Sequence, residues 1–296
     1  MSRMPDFVIV GAMKCATTTL HDQLALQPGF FLSTPKEPNF FSDESQFARG
    51  LEWYRSLFAA APRDALCGES STHYTKLPTH PRSVERLAEH LPDARFIYVM
   101  RHPVQRLISH YVHEWTERTV PAPIDAAVRA APRLIDYGCY ALQLRPYLDA
   151  FGPQRVLPVF FERLTLEPQA ELERICRFLG YAGAPRWQVA QQASNVSAER
   201  LRTSPLRDAL VWNPLSTWLR RRLVPQAARE WVKGWWRMKE KPRLSAAVRT
   251  DVEARFDADL AELSQWLGLS LSCANFAQVA ARTPAEFNGL VAGAAR

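Results

Sequence analysis

The feature that most narrows what this chain can fold into lies near its start. Phe7-Val8-Ile9-Val10 runs into Gly11, and a helix-patterned stretch follows over 17–26. Four consecutive apolar residues stopped by glycine are too few for a buried helix and read as a strand covered on both faces. In the next stretch Leu20 and Leu24 share one helical face, and Pro28 lies just past its end. A doubly covered strand that hands over to a helix opens a parallel sheet flanked by helices. Further β-rich runs occupy 95–100 and 155–161, with Pro158 assigning the second to an edge or an irregular strand. Leu172, Ile175 and Leu179 ahead of Gly180 give one helical face, and Val252, Phe256, Leu260, Leu263 and Leu267 ahead of Gly268 give another. The pattern predicts an α/β fold with a central parallel sheet. It is read as one domain over 1–296, with its core at about 5–270, a Trp/Arg-rich helical lid or insertion at about 205–243, and an Ala-rich C-terminal tail.

Composition removes several classes. With 47% hydrophobic residues the chain has ample material for a core, which excludes disorder as its main character. Lys and Arg number 37 against 30 Asp and Glu, and the net charge of +7 favours an anionic ligand or a membrane surface. The five cysteines (Cys15, Cys67, Cys139, Cys176, Cys273) are scattered without a C-x-x-C pair, as expected in a reducing compartment. The start lacks a leader-like apolar stretch, and no apolar run reaches the roughly 18 residues of a membrane helix. A cytoplasmic location is the expectation.

Two charged segments carry the chemistry. Ala12-Met13-Lys14-Cys15-Ala16-Thr17-Thr18-Thr19 joins the first strand to the first helix. Such a loop aims unpaired N–H groups and the positive end of the helix dipole at one spot, and Lys14 and the threonine hydroxyls add donors for a phosphate or sulfate. The spacing is not that of G-x-x-x-x-G-K-[ST], because Ala16 and Thr17 stand where Gly and Lys belong. A plain strand-to-helix turn with a surface lysine is the alternative. The second segment, Arg101-His102-Pro103-Val104-Gln105-Arg106-Leu107-Ile108-Ser109-His110-Tyr111, follows the strand at 95–100. Arginine offers a charged fork to phosphate oxygens, and Pro103 suits a first helical turn. Loops at the carboxyl ends of parallel strands converge on one sheet edge, so both segments can reach one ligand.

Together these segments resemble the K-x-G-T-T and R-x-P-x-x-R-x-x-S-x-Y fingerprints of sulfotransferases that use 3′-phosphoadenosine 5′-phosphosulfate (PAPS). The resemblance implies a P-loop-like fold, PAPS as donor, the bisphosphate PAP as product, and no required metal. It places Lys14, Cys15, Ala16, Thr17, Thr18 and Thr19 around the 5′-phosphosulfate, with Arg101 and Ser109 on the 3′-phosphate. Lys14 would stabilise charge on the bridging oxygen of the departing nucleotide. The family usually has Gly where this chain has Ala16, and Ala fits there with a negative φ. Gly138-Cys139-Tyr140 and Phe161-Glu162-Arg163-Leu164 resemble later family segments, so the likeness runs from Phe7 to about Leu269.

Thr34-Pro35-Lys36-Glu37-Pro38-Asn39-Phe40-Phe41 resembles the E-x-x-F-F segment of heparan-type and bacterial carbohydrate sulfotransferases. The resemblance implies Glu37 as general base, with Lys36 engaging the sulfonate or tuning Glu37. His73, in Gly68-Glu69-Ser70-Ser71-Thr72-His73-Tyr74, is the rival base. The related family segment E-K-[ST]-x-x-Y carries a lysine where this chain has Ser70, and Lys36 or Lys76 could supply that charge. His21 reads as scaffold, Arg106 as a structural ion pair or a further anion contact, and Glu162 as a cap or ion-pair residue.

Between Trp212 and Arg243 lie five of the nine tryptophans and a run of basic residues. Three readings stay open for this stretch: a wall gripping the acceptor, an interfacial helix on anionic lipid, or a face docked on the core. Lys239 and Lys241 resemble the family's basic loop over the cofactor. The implied function is transfer of a sulfuryl group to a hydroxyl of a glycan, lipid or small metabolite, without nucleic acid as a partner. A nucleotide-dependent phosphotransferase and a non-catalytic cationic membrane-surface protein are the rivals.

Overall fold

A computed structural model of the chain describes residues 3–189 and 242–288. In chain order these form β1 (Phe7–Gly11), α1 (Thr17–Ala25), β2 (Phe30–Leu32), α2 (Glu44–Phe47), α3 (Gly50–Ser56), β3 (Leu66–Ser70) and a 3₁₀ turn (Thr72–Thr75). Next come α4 (Ser83–His90), β4 (Arg95–Met100), α5 (Pro103–Thr116), α6 (Ile124–Ala130), α7 (Arg133–Asp136), α8 (Tyr140–Phe151) and β5 (Val156–Phe160). The helices α9 (Phe161–Leu166), α10 (Pro168–Phe178), α11 (Ala246–Leu267) and α12 (Phe276–Arg282) complete the described chain. Lys239, Lys241 and most of the Trp/Arg-rich stretch lie outside the described residues.

All strand pairs are parallel, in the order β2-β3-β1-β4-β5. β1 takes the middle because Phe7, Val8, Ile9 and Val10 have no solvent exposure and need cover on both faces. Pro158 sits in β5, the edge strand beyond β4, where its missing N–H faces no further strand. The periodic helix near the C-terminus forms as expected. Val252, Phe256, Leu260, Leu263 and Leu267 are all buried on α11, the Ser245 hydroxyl caps its start, and Gly268 ends it at φ 63°.

The sequence pattern misses β2 and β3. β3 reads Leu-Cys-Gly-Glu-Ser, with neither alternation nor β-branched residues. Its glycine is demanded by packing, since a Cβ on Gly68 would lie 2.2 Å from Phe7 Cζ. Among the described residues, no helix is long and apolar enough to cross a membrane.

Candidate active site

Because every strand points the same way, the segments that follow them gather at the carboxyl edge of the sheet. After β1 come residues 12–16, after β2 the Lys36-Glu37 segment, after β3 the 3₁₀ turn with His73, and after β4 Arg101. β1 and β4 are direct neighbours at the roughly 4.8 Å strand spacing, so Lys14 and Arg101 leave the sheet side by side. Hydrogen bonds stitch these segments together. The Ala12 amide donates to the Val99 carbonyl (2.8 Å), the Thr75 hydroxyl to the Val10 carbonyl (2.6 Å), and the Ser70 amide to the Lys36 carbonyl (3.3 Å). Through that last bond the Lys36-Glu37 segment lies over the end of β3, a strand closer to the middle than its own β2.

The loop after β1 is shaped as an anion cradle. Lys14 and Ala16 both take left-handed backbone, at φ 72° and 64°. Ala16 is the N-cap of α1 and supplies no side-chain cap. The amides of Thr17, Thr18 and Thr19 therefore have no protein acceptor among the described residues. The positive φ at Ala16 corrects the expectation of a negative one: the turn keeps the glycine-type geometry and alanine adopts it. Cys15 also departs from its expected binding role. Its side chain is fully buried, its amide donates to the Ala12 carbonyl (3.2 Å), and burial pushes its thiol up to about 12, so it serves the loop's scaffold. Thr17 is nearly buried, whereas Lys14, Thr18 and Thr19 are half-buried.

Beyond β4, Arg101 stacks its guanidinium over the Phe161 ring at 4.7 Å, and Tyr140 takes both backbone groups of Arg101 by donating to its carbonyl and accepting from its amide. Ser109 is half-buried on α5. Glu162 accepts from the His102 amide (2.8 Å) at the start of α5, which bears out its reading as a cap. Arg106 is structural but forms no ion pair with a described residue. It is fully buried, with its guanidinium donating to the Leu134 carbonyl and lying 3.5 Å from His110 Nδ1.

On the other side, Lys36 Nζ donates to Glu37 Oε1 (2.8 Å) and the Thr72 hydroxyl to Glu37 Oε2 (3.4 Å). Glu37 is half-buried, so this pair is only partly screened by solvent. His73 is engaged elsewhere. Its Nδ1 lies 3.1 Å from Asp43 Oδ1 and its ring stacks on His80 at 4.8 Å. Asp43, His73 and His80 together place three ligand-type atoms within 4.8 Å of one another.

Three more residues complete this side: His21, read from the sequence as scaffold, Glu69, which was not singled out, and Lys76, named only as a substitute for the charge missing at Ser70. His21 on α1 is buried with Nδ1 2.8 Å from the Ser70 hydroxyl, and burial together with the nearby Lys36 holds its imidazole neutral, down to about 4. Glu69 is fully buried and accepts from Tyr54 (2.8 Å), Tyr74 (2.8 Å) and Ser71 (2.6 Å), with burial pushing its carboxyl up to about 7. Lys76 is buried as well, and burial lowers its ammonium to about 8. The available signal for His21 was its spacing from Thr17, one turn along the helix that opens the anion loop.

The fold and the loop define an α/β protein in which an uncapped helix N-terminus and the Arg101 segment share the carboxyl edge of a parallel sheet. Residues 58–185 match the model of the sulfotransferase family. The loop at 12–19 precedes the matched segment, so its place in the site rests on the fold. Human heparan sulfate glucosamine 3-O-sulfotransferase 6 is 32% identical over 190 residues, covering 60% of this chain and 53% of that protein. Human bifunctional heparan sulfate N-deacetylase/N-sulfotransferase 2 is 29% identical over 199 residues, covering 60% of this chain and 22% of that protein. The chain spans about half the length of the first curated relatives it matches. A sulfotransferase from Alicyclobacillus acidocaldarius shares the fold, with a TM-score of 0.63 and 22% identity over 91% of this chain and 98% of that one.

Proposed function

We propose that this chain is a PAPS-dependent sulfotransferase whose acceptor is a hydroxyl on a glycan. The observation that carries the reading is the adjacency of the uncapped α1 N-terminus with Lys14 and of Arg101, on loops leaving neighbouring strands of one sheet edge. The residues present fit a nucleotide bearing two separated anionic groups. The amides of Thr17, Thr18 and Thr19 and the ammonium of Lys14 would hold the 5′-phosphosulfate, and Arg101 and Ser109 the 3′-phosphate. The bound donor supplies an activated sulfuryl group with a phosphate leaving group.

The protein's own groups supply position and charge. Lys14, on a strained backbone that fixes its direction, meets charge that builds on the leaving oxygen. Glu37, anchored through Thr72 and Lys36, takes the acceptor's hydroxyl proton. Lys36 tunes Glu37, since its ammonium is already within hydrogen-bond distance of that carboxylate. The glycan assignment draws on the named activities of the heparan sulfate relatives.

The test is an incubation with ³⁵S-labelled PAPS and desulfated heparan-type polysaccharide, beside calorimetry with PAP and with ATP plus Mg²⁺. Label in polysaccharide and a preference for PAP are expected. Binding of ATP–Mg²⁺ in preference to PAP would overturn the reading in favour of phosphoryl chemistry.

A further inference from the structure

Lys76 is, like Arg106, a buried cation without an ion pair among the described residues. It is 8% exposed, yet no described carboxylate lies within 4.0 Å of Nζ, and its aromatic neighbour is the Tyr137 ring at 5.8 Å. Taking an ammonium out of water without an ion pair costs several kcal/mol (order of magnitude), a cost that an anionic ligand beside it would offset. Its place is informative. Lys76 ends the 3₁₀ turn whose Thr72 donates to Glu37 and whose Thr75 donates to Val10, just ahead of the anion loop. The turn therefore touches both halves of the site, and Glu37 is the strongest of the charges Lys76 feels. Ser70, at the end of β3, offers no charge there, and its hydroxyl is tied to His21.

We propose that Lys76 is a further catalytic residue of this site, its ammonium stabilising the sulfonate oxygens during transfer while Lys14 serves the leaving group. This rests on the sulfuryl-transfer reading above. In the step, the acceptor oxygen forms the new S–O bond as the S–O bond to the donor's phosphate breaks. The electron pair of the broken bond stays on that phosphate, the hydroxyl proton passes to Glu37, and Lys76 keeps its proton throughout.

A charge-bearing role has a pH signature. Burial lowers Lys76 to about 8, with the carboxylates of Glu37, Glu114 and Asp43 pulling upward and Arg106 pushing further down. The imidazoles of His80 and His110 also face it, held neutral mainly by their own burial. The active, protonated form of Lys76 is present below about pH 8 and is lost as pH rises through it.

The experiment compares wild type, K76M, K76Q and K76R. It uses PAP calorimetry, thermal unfolding, transfer of ³⁵S to desulfated heparan-type polysaccharide between pH 6 and 10, and a ¹³Cε titration of Lys76 in ligand-free protein. K76M and K76Q are expected to lower kcat about a hundredfold with PAP affinity within threefold and no fall in Tm. K76R, which stays charged, should retain activity and move the basic limb up by more than one pH unit, and the Lys76 ¹³Cε signal should titrate near 8, rising when PAP and inorganic sulfate are added. Wild-type turnover with K76M and K76Q keeping more than a third of kcat would overturn the Lys76 role alone, as would a basic limb that K76R leaves in place. A wild type that neither binds PAP nor transfers label would overturn both this role and the sulfotransferase reading.

Discussion

The hydroxyl of Tyr74 donates to the buried carboxylate of Glu69 at 2.8 Å and accepts from the Phe41 amide at 3.3 Å. Ser71 repeats the relay, donating to Glu69 at 2.6 Å and accepting from the Asn39 amide at 3.1 Å. One carboxylate at the end of β3 thus anchors the backbone on the C-terminal side of Glu37 twice. Tyr74→Phe leaves the Phe41 amide without its acceptor, which costs about 1–3 kcal/mol for a buried donor. Thermal unfolding should show the loss, and kcat should fall severalfold while PAP affinity holds, because the anion loop lies beyond the relay.

The same carboxylate gives stability a pH dependence. Burial raises Glu69 from 4.5 to about 7. A carboxyl raised in the native state binds its proton more tightly there than in the unfolded chain, so its contribution is complete below about 4.5 and is lost as pH rises through about 7. Glu69→Gln removes the titration. Urea unfolding at pH 5 and pH 8 should show wild type losing more stability over that interval than the variant, whereas equal losses would place the ionisation elsewhere.

How much of this was legible depended on whether a residue announced itself by pattern or only by partner. β1 and β4 were readable as continuous apolar runs covered on both faces and α11 from its helical period, and the two charged segments were readable as loops because each follows such a strand. β3 was not, since its identity comes from Phe7 lying over Gly68 and from three hydroxyls meeting Glu69. Glu37 could be named from its Phe-Phe neighbours, but its contact with Thr72 joins residues 35 apart and has no local signature. Cys15 and Ala16 were assigned to the loop correctly and given the wrong local detail, because side-chain direction and the sign of φ follow from the turn's closure.

Ala16 adopts φ 64°, a conformation that costs an L-residue about 1–2 kcal/mol. Ala16→Gly relieves that strain but gives the unfolded chain more freedom, an opposing effect of about 0.4–1 kcal/mol. The variant should melt about 1–3 °C higher with unchanged PAP affinity. Ala16→Val, β-branched in a left-handed position, should melt lower, and the opposite ordering would mean that the turn is not left-handed.

Lys14 combines positive φ with half-burial at the mouth of the cradle. Lys14→Ala keeps the same backbone demand, so its unfolding temperature should stay within a few degrees of wild type. Loss of a charge aimed at a leaving group costs about 10²–10³ in turnover where comparable electrostatic groups are removed. Single-turnover transfer with saturating PAPS separates this from weaker donor binding. A variant that regains wild-type rate at saturation would reduce Lys14 to a binding residue.

The choice of base can be decided by two side chains whose surroundings differ. Glu37 is held by Thr72 and Lys36 over the end of β3, next to the segment that carries the anion loop, whereas His73 is turned onto Asp43 and stacked on His80. A positioned general base is worth about 10²–10⁴ in rate. Glu37→Gln preserves size and can still accept the Thr72 hydrogen bond, so it isolates proton acceptance, and kcat should fall at least a hundredfold with PAP affinity retained. His73→Asn removes the imidazole while leaving Asp43 to His80 and Ser42, and kcat should stay within about threefold. If the hundredfold loss falls on His73→Asn instead and Glu37→Gln keeps its rate, the imidazole is the proton acceptor and the Lys36–Glu37 pair is a structural feature of the β2–β3 edge.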